Sequence, residues 1–142
     1  MKDRFKFRVW DKENSNYLEF EGFKKGNIEF NFDVETKSIW VEYNHNRYDL
    51  QQCTGLKDEN GKLIYEGDIV KTLYTKPNGE IINRNCVVEF NRGAFWLNYG
   101  IGASYLYNDD CTYEIIGNIF QDKELLNELI QKYKSKIRRD CF

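Results

Sequence analysis

The sequence predicts a mostly β, α+β fold: a small barrel or curled sheet with one C-terminal amphipathic helix. Three observations predict it. Short apolar runs recur at roughly 8–12-residue spacing, the interval of strands joined by turns. Turn residues such as Asn60-Gly61, Glu66-Gly67-Asp68 and Asn78-Gly79 separate them. After Phe120 the period lengthens, and Leu125, Leu126, Leu129, Ile130, Tyr133 and Ile137 fall on one helical stripe.

The strands read in order. Phe5 to Trp10 alternates, with Phe5, Phe7 and Val9 on one face and Lys6, Arg8 and Trp10 on the other, so Trp10 is expected on the polar side. Asp11 to Asn16 is a polar turn into a short return strand over Tyr17–Phe20. Ile28, Phe30, Phe32 and Val34 share a face, and Ser38 to Tyr43 is the hairpin partner across Glu35-Thr36-Lys37. Tyr48 to Cys53 is a weaker strand after the loop Asn44–Arg47. Asn60-Gly61 is expected to form a hairpin with both residues at positive φ, and Asp68 to Thr75 is a strand rich in β-branched residues. Pro77 presets φ and Gly79 supplies positive φ before the arm Ile81–Phe90. Asn91-Arg92-Gly93 turns the chain into Ala94–Tyr99. Gly100–Ala103 is a loop, and Tyr113–Phe120 is the last strand. Asp122 is placed to cap the helix by accepting a backbone N–H, and Lys132 to Arg139 complement its C-terminal dipole.

Bulk composition narrows the function classes. The chain has 142 residues, enough for one domain: a β segment over 1–52, a barrel core over 53–120 and the helix region 121–142. Aromatics reach 16%, a heavy share that suits pleated, half-buried sheet surfaces. Net charge is −2, which argues against a coat for DNA, since phosphate neutralisation needs a basic surface. Four dispersed cysteines without a Cys-x-x-Cys pair, and a single histidine, do not make a zinc site. No signal peptide follows the basic N-terminus, and no run approaches the ~20 apolar residues of a membrane span. The expectation is a cytoplasmic protein with reduced thiols, no cofactor and no membrane partner.

Phe7-Arg8-Val9-Trp10-Asp11, Thr54-Gly55-Leu56-Lys57-Asp58 with Asn60-Gly61-Lys62, and Ile64 to Val70 resemble motifs of the YopX family of phage and prophage proteins. Val87–Phe90 with Gly93-Ala94-Phe95, and Glu114–Phe120 with Leu125-Leu126, resemble its later segments in the same order. The stretch from about Asn14 to Gln52 carries no matching motif. The resemblance implies a mostly β fold with an SH3-like barrel element. It implies no catalytic residue.

Each chemistry-bearing residue has a structural reading beside the functional one. Glu66 and Asp68 could pair as acid and base, yet acids in such turns ordinarily bind nearby N–H groups. Asn108-Asp109-Asp110 lacks the spacing of a calcium loop. His45 with Cys53 is the one Cys–His pairing the chain offers, against a surface histidine and a buried small thiol. Trp40 and Trp96 could pack on either face. The sequence therefore favours a non-enzymatic phage or prophage accessory protein. It would meet phage or host proteins and self-associate through Trp10 and the stripe Leu125, Leu126, Leu129, Ile130, Tyr133 and Ile137. The alternative is a small-barrel nucleic-acid binder using Arg8, Trp40, Arg84, Arg92 and Trp96. A hydrolase built from Glu66, Asp68 and His45 ranks below both, because nothing in the sequence brings them together.

Overall fold

Alternation along the chain becomes eleven strands and one helix in a computed structural model describing residues 6–18, 28–100, 102–106 and 111–140. The strands are β1 (Phe7–Asp11), β2 (Asn16–Tyr17), β3 (Ile28–Asp33), β4 (Ser38–Tyr43), β5 (Tyr48–Lys57), β6 (Leu63–Tyr65), β7 (Asp68–Thr75), β8 (Ile81–Asn91), β9 (Ala94–Asn98), β10 (Ala103–Tyr105) and β11 (Cys111–Asn118). Helix α1 spans Lys123–Asp140. The mostly β class with one C-terminal helix, expected from the sequence, is what the chain forms. Two compact units divide between Gln51 and Gln52, and β5 runs through both.

The first unit, over residues 7–51, uses acids to make its turns. The β1–β2 and β3–β4 hairpins share one design. Asp11 Oδ1 accepts from Glu13 and Asn14 N–H, and Asp33 Oδ1 accepts from Glu35 and Thr36 N–H. Four residues further on, Ser15 and Lys37 both take φ 54°. Asx turns of this kind hold backbone donors that a loop would otherwise leave to water. Val9 and Tyr48 form the small core with Leu18, Tyr43 and Leu50. Trp10 is buried as well, packed edge-on to Tyr17 at 5.0 Å, so the alternation that assigned it to a polar face misled. Both faces of β1 are covered, and a covered strand loses its polar side.

The second unit centres on a five-stranded antiparallel sheet in the order β10-β9-β8-β7-β11. Adjacent residues feed opposite faces. Val70, Cys86 and Val88 pack on one side with Leu97, Leu106 and, from the β5–β6 hairpin, Ile64 and Leu56. Ile69 and Val87 pack on the other with Leu129, Leu125, Leu126, Ile116 and Ile119. Leu125, Leu126 and Leu129 of the helix stripe are thus spent on the chain's own sheet. Burying a leucine this way stabilises by roughly 1.5–3 kcal/mol.

The turns depart from expectation in one place. Gly61 takes φ +80°, but Asn60 stays at negative φ. Gly61 N–H donates to Asp58 O, and Asp58 N–H to Lys62 O. This is a type I turn followed by one left-handed residue, the three-residue hairpin in place of the two-residue one. Asp58 explains the choice, because its carboxylate takes the Asn60 and Lys62 N–H groups. The mirror-image turn occurs instead at Arg92-Gly93, with φ of 50° and 77°. Strand β10 lies partly in the segment read as a loop, and β11 starts at Cys111, earlier than the sequence indicated.

Asp122 sits immediately before α1, as a cap should, but its Oδ2 reaches back to accept from Asn118 N–H. That brings it against Gly117, where an added Cβ would lie 2.5 Å from Oδ2 and 2.9 Å from the Asp122 Cβ. Gly117→Ala should therefore destabilise by about 1–3 kcal/mol through overpacking. Urea unfolding reads it. In the double variant with Asp122→Ala the two losses should sum to less than their separate values; strict additivity would show that the contact is not the cause.

Candidate functional site

The acids that could have done chemistry are engaged with backbone. Asp58 is buried, and its Oδ2 accepts from Ile115 N–H at 3.1 Å. Burial opposes its ionisation, yet the N–H donors of Ile115, Lys62 and Asn60 outweigh that and lower its pKa. Asp68 Oδ2 accepts from Tyr65 N–H, and Glu66 Oε1 accepts from Gln52 N–H. Asp11 meets the Arg47 guanidinium through both oxygens, at 3.2 and 3.0 Å. That guanidinium, against the cost of burial, takes the Asp11 pKa down to about 2. Asp58 and Asp11, held ionised by their donors, serve badly as proton-transfer groups.

An open site lies on the sheet face opposite α1. Register places Thr72 beside Arg84, Tyr74 beside Ile82 and Cys111 beside Tyr74, all on the face of Val70 and Cys86. With Leu97, Tyr99, Ser104, Tyr105 and Tyr113 they line a hollow of about 360 Å³. The Arg84 guanidinium carbon stands 4.5 Å from the Tyr99 ring centroid. Tyr113 donates its hydroxyl to Leu106 O at 2.6 Å. Burial pushes the Cys86 thiol up to about 11, so it lines the hollow as a neutral group. On the helix side, Val87, Leu126, Leu129 and Ile130 border a groove of about 620 Å³ with Glu89, Asn98, Gly100, Gly102 and Ala103. Among the described residues no group of three or more His, Cys, Asp or Glu could hold a metal ion, and no helix is long and apolar enough to cross a membrane.

The family model described as YopX protein matches residues 6–127. The chain belongs to the YopX family. Protein yopX from Bacillus subtilis shares 20% identity over 86% of this chain and 98% of its own, with a TM-score of 0.54, a likeness of fold. A protein of Enterococcus faecalis shares 27% identity over 85% of this chain and 96% of its own, with a TM-score of 0.48. No curated protein matches.

In this YopX-family chain the residues singled out from sequence scatter. Leu125, Leu126 and Leu129 face the chain's own sheet, while Ile130 stays 41% exposed. The side chains of Tyr133, Ile137 and Trp40, and residues 108–110, lie outside the described residues. Arg8 Nε donates to Gln51 Oε1 at 2.7 Å and lies over the Tyr17 ring. Arg92 occupies the β8–β9 turn. Trp96 pairs with Glu89 on the face opposite Arg84, stacks on Tyr105 at 4.2 Å and donates Nε1–H to Asn91 O. The sheet therefore does not bring Arg84 and Trp96 to one surface. His45 is exposed and packs at a tilt against Tyr43, in a different unit from the fully buried Cys53. The tyrosines of the hollow escaped sequence reading because their strands meet only through long-range pairing; Tyr74, Tyr99 and Tyr113 at alternate strand positions were the available signal.

Two outcomes follow from the acids. The Asp11 pKa is depressed from its ordinary 3.8 to about 2, so its contribution is present above the unfolded value and lost as pH falls between them. Asp11→Asn should flatten the fall in urea midpoint between about pH 4 and pH 2; an unchanged slope would refute the role. Asp58→Ala strands three N–H groups and should cost about 2–4 kcal/mol at neutral pH.

Proposed function

We propose that this YopX-family chain is a non-enzymatic accessory protein of a phage or prophage, working in the bacterial cytoplasm through protein contacts and pairing with a second copy of itself. The observation that carries the pairing is the groove beside α1, bordered by Val87, Leu126 and Leu129, along which Ile130 stays exposed. Leu73, also exposed, lies on the same face of the sheet by register, beyond Lys71. Contiguous exposed apolar surface is ordinarily an interaction site. The non-enzymatic reading is supported by the engagement of Asp58, Asp68 and Glu66 with backbone N–H groups. The phage or prophage attribution rests on the family resemblance.

Light scattering after size exclusion tests the pairing. The wild-type chain should run larger than a monomer, and Ile130→Asp should return it to monomer with its circular dichroism and melting unchanged. Leu129→Ala should instead cost about 2–5 kcal/mol of stability, because Leu129 is core. A wild-type chain that stays monomeric at its highest soluble concentration refutes self-association.

A further inference from the structure

The hollow opposite α1 has a charge pattern the rest of the chain does not share. The chain carries 23 acids against 21 lysines and arginines, yet none of the hollow's lining residues is acidic. Arg84 and Tyr99 at its rim also border a second depression of about 320 Å³, lined by Asn83, Asn85, Leu129 and Lys132 and likewise free of acids. Among the described residues, no carboxylate forms a salt bridge with Arg84. An arginine left without a carboxylate, held flat on a ring beside a space a small ligand fills, presents its planar fork to an incoming anion.

We propose that the hollow is a nucleotide site: the ring of the nucleotide enters among Tyr74, Tyr99 and Tyr113, and its phosphate meets Arg84 and Lys132 at the rim. Three features favour this occupant. The volume falls within the roughly 300–1,000 Å³ of small-ligand sites. Tyrosine faces take a planar ring of any base, because every base has a π-face to stack. The protonated Cys86 thiol and the absence of acids leave nothing in the lining to repel a phosphate. Two cations match a single phosphate and not a tracked strand, whose binding draws on a longer basic surface. The nucleotide is supplied either free or as the phosphorylated end of a single strand. The ring end lies on the other face from the groove proposed for pairing, while Leu129 borders both that groove and the phosphate end; Arg84 borders only the nucleotide site, so its variant separates the two readings.

Isothermal titration of the full chain with dTMP and with AMP tests it, beside thymidine and inorganic phosphate. Both monophosphates should bind saturably, and thymidine and phosphate each at least about tenfold more weakly. Arg84→Gln should lose about tenfold or more, Lys132→Gln about threefold, and Arg92→Gln nothing. Arg84 is exposed, and unchanged circular dichroism of Arg84→Gln confirms that the loss is local. A short 5′-phosphorylated oligothymidylate that binds more tightly than dTMP assigns the source to a strand end; equal or weaker binding assigns it to free nucleotide. No saturation up to about 5 mM, phosphate binding as well as dTMP, or an unaffected Arg84→Gln overturns the site.

Discussion

The fold of the larger unit depends on one carboxylate accepting from two distant pieces of chain. Asp58 shapes its own turn through Asn60 and Lys62, and 57 residues later in sequence it takes the Ile115 N–H. That donor is open because β11 is the edge strand of its sheet, and Tyr113 and Ile115, two residues apart, both turn their backbone groups away from β7. An edge strand presents a row of unpaired backbone groups, and here Asp58 supplies the partner of one. Glu59 N–H adds a bond to Tyr113 O beside it. The β5–β6 hairpin is thereby fastened along β11, which lets Leu56 and Ile64 cover one face of the sheet. Local turn chemistry and long-range closure share a single group, so neither is independent of the other.

Much of this was legible in sequence, for local reasons. Turn acids and glycines act within four residues, and the reading of Glu66 and Asp68 as backbone ligands needed only that range. The helix stripe was legible because its period differs from that of the strands. What failed needed tertiary knowledge. Trp10 reads as solvent-facing by alternation and is buried because both faces of its strand are covered. Asn60-Gly61 reads as a two-residue hairpin, and Asp58, two residues earlier, converts it into a longer one. Strand β10 has three exposed residues and no apolar run, so nothing in its composition marks it.

The candidate site was the least legible part because no motif encodes it. Arg84 was singled out as one of several arginines beside aromatic residues, but its partner ring, Tyr99, comes from just beyond β9, and the rest of the lining comes from β7, β8, β9, β10 and β11. Such a site is a property of register: shift β8 by one residue against β7 and Arg84 moves to the helix face. The same register fixes the two cores, since Ile69 and Val70, and Val87 and Val88, divide between them.

The hollow exists because the cover ends before the sheet does. No residue of the β5–β6 hairpin lines it. Around Val70, Val88 and Leu97 the hairpin supplies Ile64 and Leu56, and the core is closed. Further along the same strands, at Thr72, Tyr74, Ile82 and Arg84, nothing from the hairpin stands over the face. Large rings at those positions tolerate the open side better than aliphatic side chains would, because a tyrosine keeps an apolar body against the sheet and a polar tip in water. Filling the space with leucines would extend the core and remove the hollow. Tyrosines and one arginine leave it lined but unfilled.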